Sequence, residues 1–174
     1  YTDVFADIIN VLVYNGKPKV NPESLIDGPT ASIYKGDNGR LNQRVRDIQK
    51  FDSKNGTEII VYGIENQTNV CNTMPIRVMG YDFASYDRRI KMIVSQNKLE
   101  NRDAYTAEIW KEQKVCPVIT LVLYFGIEPW DGPLSIRDIM EIPDEIKSFV
   151  SDYKMNLVQV SFLTQETISK FKSD

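Results

Sequence analysis

The sequence predicts an α/β fold in which a mixed β-sheet carries helices on its faces. Three patterns support this prediction: helical apolar spacing at the N-terminus, two strand-like runs joined by a turn, and an unbroken apolar run over Val118–Phe125. The elements follow the order helix, hairpin, helix, strand, helix, strand, which is typical of helices that cover a mixed sheet.

The 174 residues are enough for one domain, because 42% of them are hydrophobic and can form a single core. We therefore expect a single domain over residues 1–174. The chain has no initiator Met and stops abruptly at Asp174, so we also consider it a possible fragment that lacks a C-terminal region.

An amphipathic helix is predicted over Tyr1–Tyr14. The apolar positions that recur there at helical spacing are Phe5, Ile8, Ile9 and Leu12. Asn15-Gly16 breaks the pattern. Residues 16–42 are rich in Gly and Pro and predict a long loop.

A β-hairpin is predicted next, with strands over Arg44–Phe51 and Thr57–Gln67 and a turn over residues 52–56. Alternation in the second strand places Ile59, Val61, Gly63, Glu65 and Gln67 on one face, and Ile60, Tyr62 and Ile64 on the other. Glu65 thus continues a largely apolar face. Burial of its carboxylate would be costly without a cation or a hydrogen-bond partner.

A long helix is predicted after Asn72 or Thr73, either of which can cap it, with Pro75 in the first turn. Its predicted apolar stripe consists of Ile76, Met79, Phe83, Tyr86, Ile90 and Ile93. Arg77, Arg88 and Lys91 fall on roughly the opposite face.

The C-terminal half begins with a polar connection over residues 95–114. A central strand follows at Val118–Phe125, and a turn at residues 128–133. A helix is predicted over Pro143–Tyr153, a strand over Leu157–Leu163, and a short helix from Thr164.

The composition excludes several classes of function. Histidine is absent, which removes Ser-His-Asp and Cys-His catalysis, two-histidine nucleases and His-ligated zinc or haem. The two cysteines form no CxxC pair, so we expect neither a thiolate metal site nor a disulfide framework, and we predict a cytoplasmic location. No run approaches the roughly 20 apolar residues of a membrane span, so no membrane association is expected.

Asp47, Glu65 and Gln67 form the strongest candidate site. Same-face side chains on adjacent antiparallel strands lie about 5 Å apart when directly opposed, so the two carboxylates can converge on one Mg²⁺ ion. Such an ion makes hydroxide available without histidine. On spacing alone the plainer interpretation is favoured, in which Asp47 and Glu65 are solvated acids or ion-pair partners of Arg44 and Arg46.

Several motifs together resemble one protein family. The motifs are Arg46-Asp47, Tyr62–Gln67, Met74–Asp82, Ser85–Asp87, Pro117–Gly126 and Pro129–Pro133. They resemble the Rpn family, recombination-promoting nucleases that are also described as transposase-like proteins of the PD-(D/E)XK nuclease superfamily. The resemblance extends from Phe5 to Met140.

The resemblance implies a restriction-endonuclease-like core and a DNA endonuclease that depends on Mg²⁺, with Mn²⁺ as a substitute, and acts in recombination or mobile-element activity. Asp47 takes the position of the motif's aspartate, Glu65 that of its second acid, and Gln67 that of its lysine. Asp47 and Glu65 would then bind the metal, and Asp7 on the opening helix is a candidate additional ligand. The chain departs from the superfamily pattern in that Arg rather than Pro precedes Asp47 and Gln67 carries no charge.

The candidate DNA-binding residues are Arg44, Arg46, Arg77, Arg88 and Lys91. The net charge is −3, so a DNA partner would require local cations. A solvated helix face is nevertheless the plainer interpretation of any single one of them. Cleavage of both strands would favour a homodimer, because one site acts on one strand at a time.

Two other functions stay open. The chain could be a catalytically inactive DNA-binding or protein-interaction module on a nuclease scaffold, since a fold does not guarantee a function. A glycosidase would also use two carboxylates, but nothing beyond the acids supports it.

Overall fold

A computed structural model describes residues 1–35, 41–54, 57–100, 109 and 111–173, with the side chains of 31–45, 57 and 59 outside the description. In chain order the elements are α1 (Thr2–Leu12), β1 (Leu25–Asp27), β2 (Ala31–Lys35), β3 (Leu41–Val45), β4 (Ile48–Lys54), β5 (Thr57–Gln67), α2 (Met74–Leu99), β6 (Val118–Tyr124), β7 (Asn156–Gln159) and α3 (Gln165–Ile168). Short 3₁₀ turns lie at Pro22–Ser24, Ile136–Ile139, Asp144–Ile146 and Val160–Phe162.

The central sheet has five strands in the order β1-β4-β5-β6-β7. Strands β1, β4 and β5 pair antiparallel, whereas β5, β6 and β7 pair parallel. The chain passes from β5 to its parallel neighbour β6 by way of α2, as a parallel pair requires a long crossover. This is the mixed sheet flanked by helices that the sequence predicts, and it is consistent with a restriction-endonuclease-like core.

Strand β5 divides the molecule, because its successive side chains point to opposite faces of the sheet. Tyr62 and Ile64 join the core under α1, with Phe5 and Ile9 of that helix. On the other face, which carries Glu65, the sheet packs against α2. The apolar contacts there come from Met74, Val78, Val122 and Met155.

The opening helix, the β4–β5 hairpin, strand β6 and the short C-terminal helix confirm the sequence predictions. The predicted loop over residues 16–42 is wrong in part. Strands β1 and β2 both lie within it, and β1 adds to the edge of the central sheet, pairing Leu25 with Asp52. A three-residue strand is too short to show alternation in the sequence.

The predicted strand Arg44–Phe51 is two strands, because β3 ends at Val45 and β4 begins at Ile48. Strand β3 pairs with β2 in a separate two-stranded sheet, whereas β4 belongs to the central sheet. Arg46 and Asp47 form the break between them. Asp47 therefore lies just before the strand in which the sequence predicts it.

The predicted apolar stripe of α2 is wrong in part, since Ile93 is buried as predicted but Phe83 and Ile90 are exposed. Phe83 is 68% exposed, whereas Val78, Tyr81, Asp82 and Ser85 are buried against the sheet. The sheet presents polar groups at this place, and polar helix residues reach them by hydrogen bonds. Hydrophobicity alone would bury Phe83 and expose Asp82 and Ser85, the reverse of what the structure shows.

The C-terminal region also differs from the prediction. The helix predicted over Pro143–Tyr153 is reduced to one 3₁₀ turn, and Phe149 is 85% exposed. The predicted last strand ends at Gln159, where a 3₁₀ turn follows. Within the described residues, no helix combines the length and the apolar character that a bilayer crossing requires.

Candidate active site

Asp47 and Glu65 meet where the β4–β5 pair ends. Ile48 is paired with Ile64, so Asp47, one residue earlier, falls beside Glu65. The backbone N–H of Asp47 donates to Oε2 of Glu65 at 3.4 Å, and Oδ2 of Asp47 accepts from the N–H of Asn66 at 2.7 Å. The hairpin register thus brings the two predicted acids together.

The carboxylate of Glu65 is buried, with only 1% of the residue exposed. Its Oε1 accepts hydrogen bonds from Nη2 of Arg77 and, at 3.3 Å, from the hydroxyl of Tyr81. Burial and the nearby charge of Asp47 raise the pKa of Glu65, and the opposing effect of Arg77 does not cancel them. Glu65 is therefore a fixed acid whose charge is stabilised from one side by α2.

Gln67 is the last residue of β5 and is half-buried. It lies two residues after Glu65 and so on the same face of the strand. Its carbonyl accepts the N–H of Phe125 at 2.8 Å, next to the end of the parallel strand β6. Asp47, Glu65 and Gln67 therefore share one edge of the sheet.

Asp7 lies elsewhere, on α1 and therefore across the sheet from Glu65. Its Oδ2 accepts the backbone N–H groups of Lys172 and Ser173 at 2.7 and 2.8 Å, and the Ser173 hydroxyl at 2.7 Å. Burial alone would raise the pKa of Asp7, but these hydrogen bonds outweigh it and hold the pKa below its usual range. In this structure Asp7 anchors the C-terminal segment to α1, and its predicted role as a metal ligand stays a prediction.

The predicted DNA-binding cations occupy different settings. Arg44 has a side chain outside the described part of the chain. Arg46 is 1% exposed, and its Nη2 donates to Oδ1 of Asp82 at 2.9 Å. It does not present its guanidinium to a DNA backbone in this arrangement. Arg77 contacts Glu65, with a side chain that is 32% exposed.

Arg88 and Lys91 lie further along α2. Arg88 donates to Glu58 at 2.8 Å and stacks over the ring of Phe51, whereas Lys91 is exposed and pairs with Asp87 at 2.6 Å. Arg88, like Arg77, therefore contacts the sheet rather than projecting from an outward face as predicted. Both residues remain partly exposed at the surface.

A sequence model of one protein family, described as "Putative transposase, YhgA-like", matches residues 39–173, well over half of the chain. The chain belongs to the YhgA-like transposase family. This membership confirms the Rpn resemblance drawn from the motifs, while the assignment to the PD-(D/E)XK superfamily stays a prediction. Searches of curated proteins and of solved structures gave no significant match.

The donor set of this YhgA-like site fits a hard divalent cation. Asp47 and Glu65 offer carboxylate oxygens, and Mg²⁺ is commonly bound by one or two carboxylates together with waters and substrate phosphates. Within the described residues no group of three or more His, Cys, Asp or Glu could form a site from protein ligands alone. The pair therefore fits a cation that is shared with a phosphate rather than one enclosed by the protein.

A buried polar network lies beside the pair, and the sequence reasoning missed it. Asp82 on α2 accepts hydrogen bonds from Arg46, from the Thr120 hydroxyl on β6 and from the Tyr153 hydroxyl. Burial and the charge of Asp82 raise the pKa of Tyr153, so this hydroxyl remains a proton donor. The network links Arg46, the residue before Asp47, to α2 and to β6.

One sequence signal could have indicated this network. Gly63 lies inside a strand, where glycine often marks the close approach of another group. A Cβ at this position would overlap the guanidinium of Arg46. Glycine thus leaves room for a guanidinium under α2, where Arg46 also lies 5.2 Å from the ring centre of Tyr81.

Proposed function

We propose that this YhgA-like chain is a metal-dependent DNA endonuclease that acts in recombination or mobile-element activity. The observation that carries the proposal is the contact between Asp47 and buried Glu65 at the end of the β4–β5 pair. Family membership supports DNA as the substrate. Histidine is absent, and a cation held by two acids can support hydrolysis without an imidazole.

Asp47 and Glu65 would hold Mg²⁺ or Mn²⁺. When bound there, the ion would supply a water of lowered pKa and would polarise the phosphate. Tyr81 and Arg77 hold the Glu65 carboxylate in one orientation. The Gln67 amide can donate and accept hydrogen bonds, so it can orient the attacking water or a phosphate oxygen without a charge.

The proposal includes a cytoplasmic location, which two free thiols, Cys71 and Cys116, support because disulfides are rare in a reducing compartment. It also includes a homodimer for cleavage of both strands. The appearance of linear DNA together with nicked circles would favour that dimer.

The test is a supercoiled-plasmid nicking assay with Mg²⁺, Mn²⁺, Ca²⁺ or chelator on the parent and on Glu65→Gln. We expect the parent to nick the plasmid with Mg²⁺ or Mn²⁺. The nicking rate of Glu65→Gln should be lower by at least about 100-fold, because mutation of a residue that only orients a metal ligand already costs 10–100-fold in metal affinity or activity. Glu58→Gln is the matched control, because Glu58 lies on the same strand, paired with Arg88 away from Asp47. It should cut at the parent rate.

Melting temperatures of the three proteins establish that each is folded. Equal nicking by the parent and by Glu65→Gln would mean that the cleavage comes from a contaminant or another site, and the proposal would be wrong. A folded parent that shifts DNA on a gel but does not cleave it with any of the metals would be the catalytically inactive DNA-binding module.

A further inference from the structure

Arg77 connects the buried part of the site with solvent. Its side chain is 32% exposed, whereas that of its partner Glu65 is 1% exposed. Nη2 of Arg77 donates to Glu65 and to the Tyr81 hydroxyl, and a further contact reaches the thiol of Cys71. A guanidinium has five N–H groups, so it can keep Tyr81 and still reach an acceptor in solvent.

The local context of Arg77 does not explain a cation at this position. Arg77 lies in the first turn of α2, which contains no acidic residue. The N-terminal end of a helix carries partial positive charge and disfavours a cation. The contact with Glu65 offsets this cost, so the position of Arg77 is explained by the site and not by its own helix.

Arg77 also provides the charge that Gln67 lacks. Among the described residues, Glu65 has one ion-pair partner, Arg77, since Arg46 is paired with Asp82. The two carboxylates and this guanidinium give the free site one net negative charge. A divalent cation on the carboxylates would leave one net positive charge, which one phosphodiester group neutralises.

We propose that Arg77 exchanges partners during substrate binding. In the free protein it neutralises Glu65, and when Asp47 and Glu65 hold a divalent cation it binds a non-bridging oxygen of a backbone phosphate. Arginine suits this exchange because its planar N–H groups match carboxylate and phosphate oxygens equally well. The inference rests on the proposed function and assigns the phosphodiester contact to Arg77, which lies outside the predicted Asp47–Glu65–Gln67 motif.

The first measurement is calorimetric titration with Mn²⁺ and no DNA, near pH 8, far above the ordinary pKa of a carboxyl group. We expect Arg77→Gln to bind Mn²⁺ about fivefold more tightly than the parent, because the ion no longer competes with the guanidinium in a partly exposed pair. Arg89→Gln is the matched control. Arg89 lies on the same helix, near Cys116, and should leave the affinity unchanged.

The second measurement is fluorescence anisotropy of a labelled DNA duplex, with Ca²⁺ or with chelator. With Ca²⁺, Arg77→Gln should weaken binding and reduce the slope of log affinity against log salt by about one. With chelator its effect should be small, because Arg77 is then held by Glu65. Arg77→Lys should restore part of the Ca²⁺-dependent affinity, since lysine contacts phosphate as a point charge.

A purely structural role for Arg77 would weaken DNA binding equally with Ca²⁺ and with chelator. That result would overturn the proposed exchange of partners but not the proposed function. Unchanged or weaker Mn²⁺ binding by Arg77→Gln would have the same meaning. A parent that binds no divalent cation would overturn both this inference and the proposed function.

Discussion

The face of the sheet under α1 packs a mainly apolar core, with Lys50 and Asp52 towards the β1 edge, whereas the face under α2 buries ion-paired and polar side chains beside the candidate site. Strand β5 supplies both faces, Tyr62 and Ile64 to one and Glu65 to the other. The second face also contains Arg46, 1% exposed, and Asp82, 3% exposed, each as well buried as a core residue. One strand therefore contributes to a mainly apolar interior and to one that also contains a buried ion pair.

The two faces stabilise the fold in different ways. Apolar burial contributes in proportion to area and tolerates small shifts. A buried ion pair gains its free energy only when geometry and partners are complete, and it fixes the positions of its members. Asp82 has three hydrogen-bond donors from three parts of the chain, so this face holds α2 in place beside Asp47 and Glu65.

The largest expected effect comes from breaking the polar face. Asp82→Ala leaves the Arg46 guanidinium buried without its partner, and loss of one member of a buried pair costs about 3–5 kcal/mol. We expect the free energy of unfolding, measured with urea, to fall by that amount. Mn²⁺ affinity should also fall, because Arg46 packs beside Tyr81, which contacts Glu65.

Asp87→Ala is the control for this prediction. Asp87 lies on the same helix and pairs with exposed Lys91 at i,i+4 spacing, which is worth a few tenths of a kcal/mol. Equal losses in the two variants would mean that the buried pair contributes no more than a surface pair. The contrast between the two faces would then have no energetic basis.

The next effect comes from the apolar face. Ile9 is fully buried on α1, and Ile9→Ala should lower the free energy of unfolding by about 2–5 kcal/mol through lost burial and a cavity. Unlike Asp82→Ala, it should leave Mn²⁺ affinity unchanged. Urea denaturation and calorimetry on the same variant provide both values. A parallel loss of Mn²⁺ affinity would mean that the faces are coupled across the sheet.

The sequence indicates the β5 face correctly because alternation is a local property. The same rule and the hairpin register bring Asp47 to Glu65. The face of α2 is not predictable in this way. Phe83 is more hydrophobic than Asp82, yet Asp82 is buried because Arg46 and two hydroxyl groups, distant in sequence, reach it.

The break between β3 and β4 is unpredictable for a related reason. Residues 44–51 read as one strand, and only pairing with two different sheets separates them at Arg46. The break also turns Arg46 inward, so a residue predicted to bind DNA becomes part of the interior. Gly63 was the available signal, but its meaning depends on knowing which side chain lies over it.

The smallest expected effect has the opposite sign and concerns Glu65. Burial, with Asp47, raises the pKa of Glu65 above the value of 4.5 for a free glutamate, so ionised Glu65 destabilises the fold. This penalty is absent below the unfolded-state pKa, grows as the pH rises, and is complete above the raised pKa. Glu65→Gln removes the charge and keeps an acceptor for Arg77. Its free energy of unfolding should exceed the parent's at neutral pH, and the difference should disappear as the pH falls below 4.5.

Thermal melts of both proteins at the two pH values, with chelator present, measure this difference. A gain at neutral pH would mean that Glu65 is held at the expense of stability, as expected for a residue kept for its chemistry. A loss instead would mean that the ion pair with Arg77 outweighs the burial of the charge. Glu65 would then resemble Asp82, an acid that stabilises the polar face. The structure would give no reason to separate the structural role of the Asp82 network from a catalytic role of Glu65.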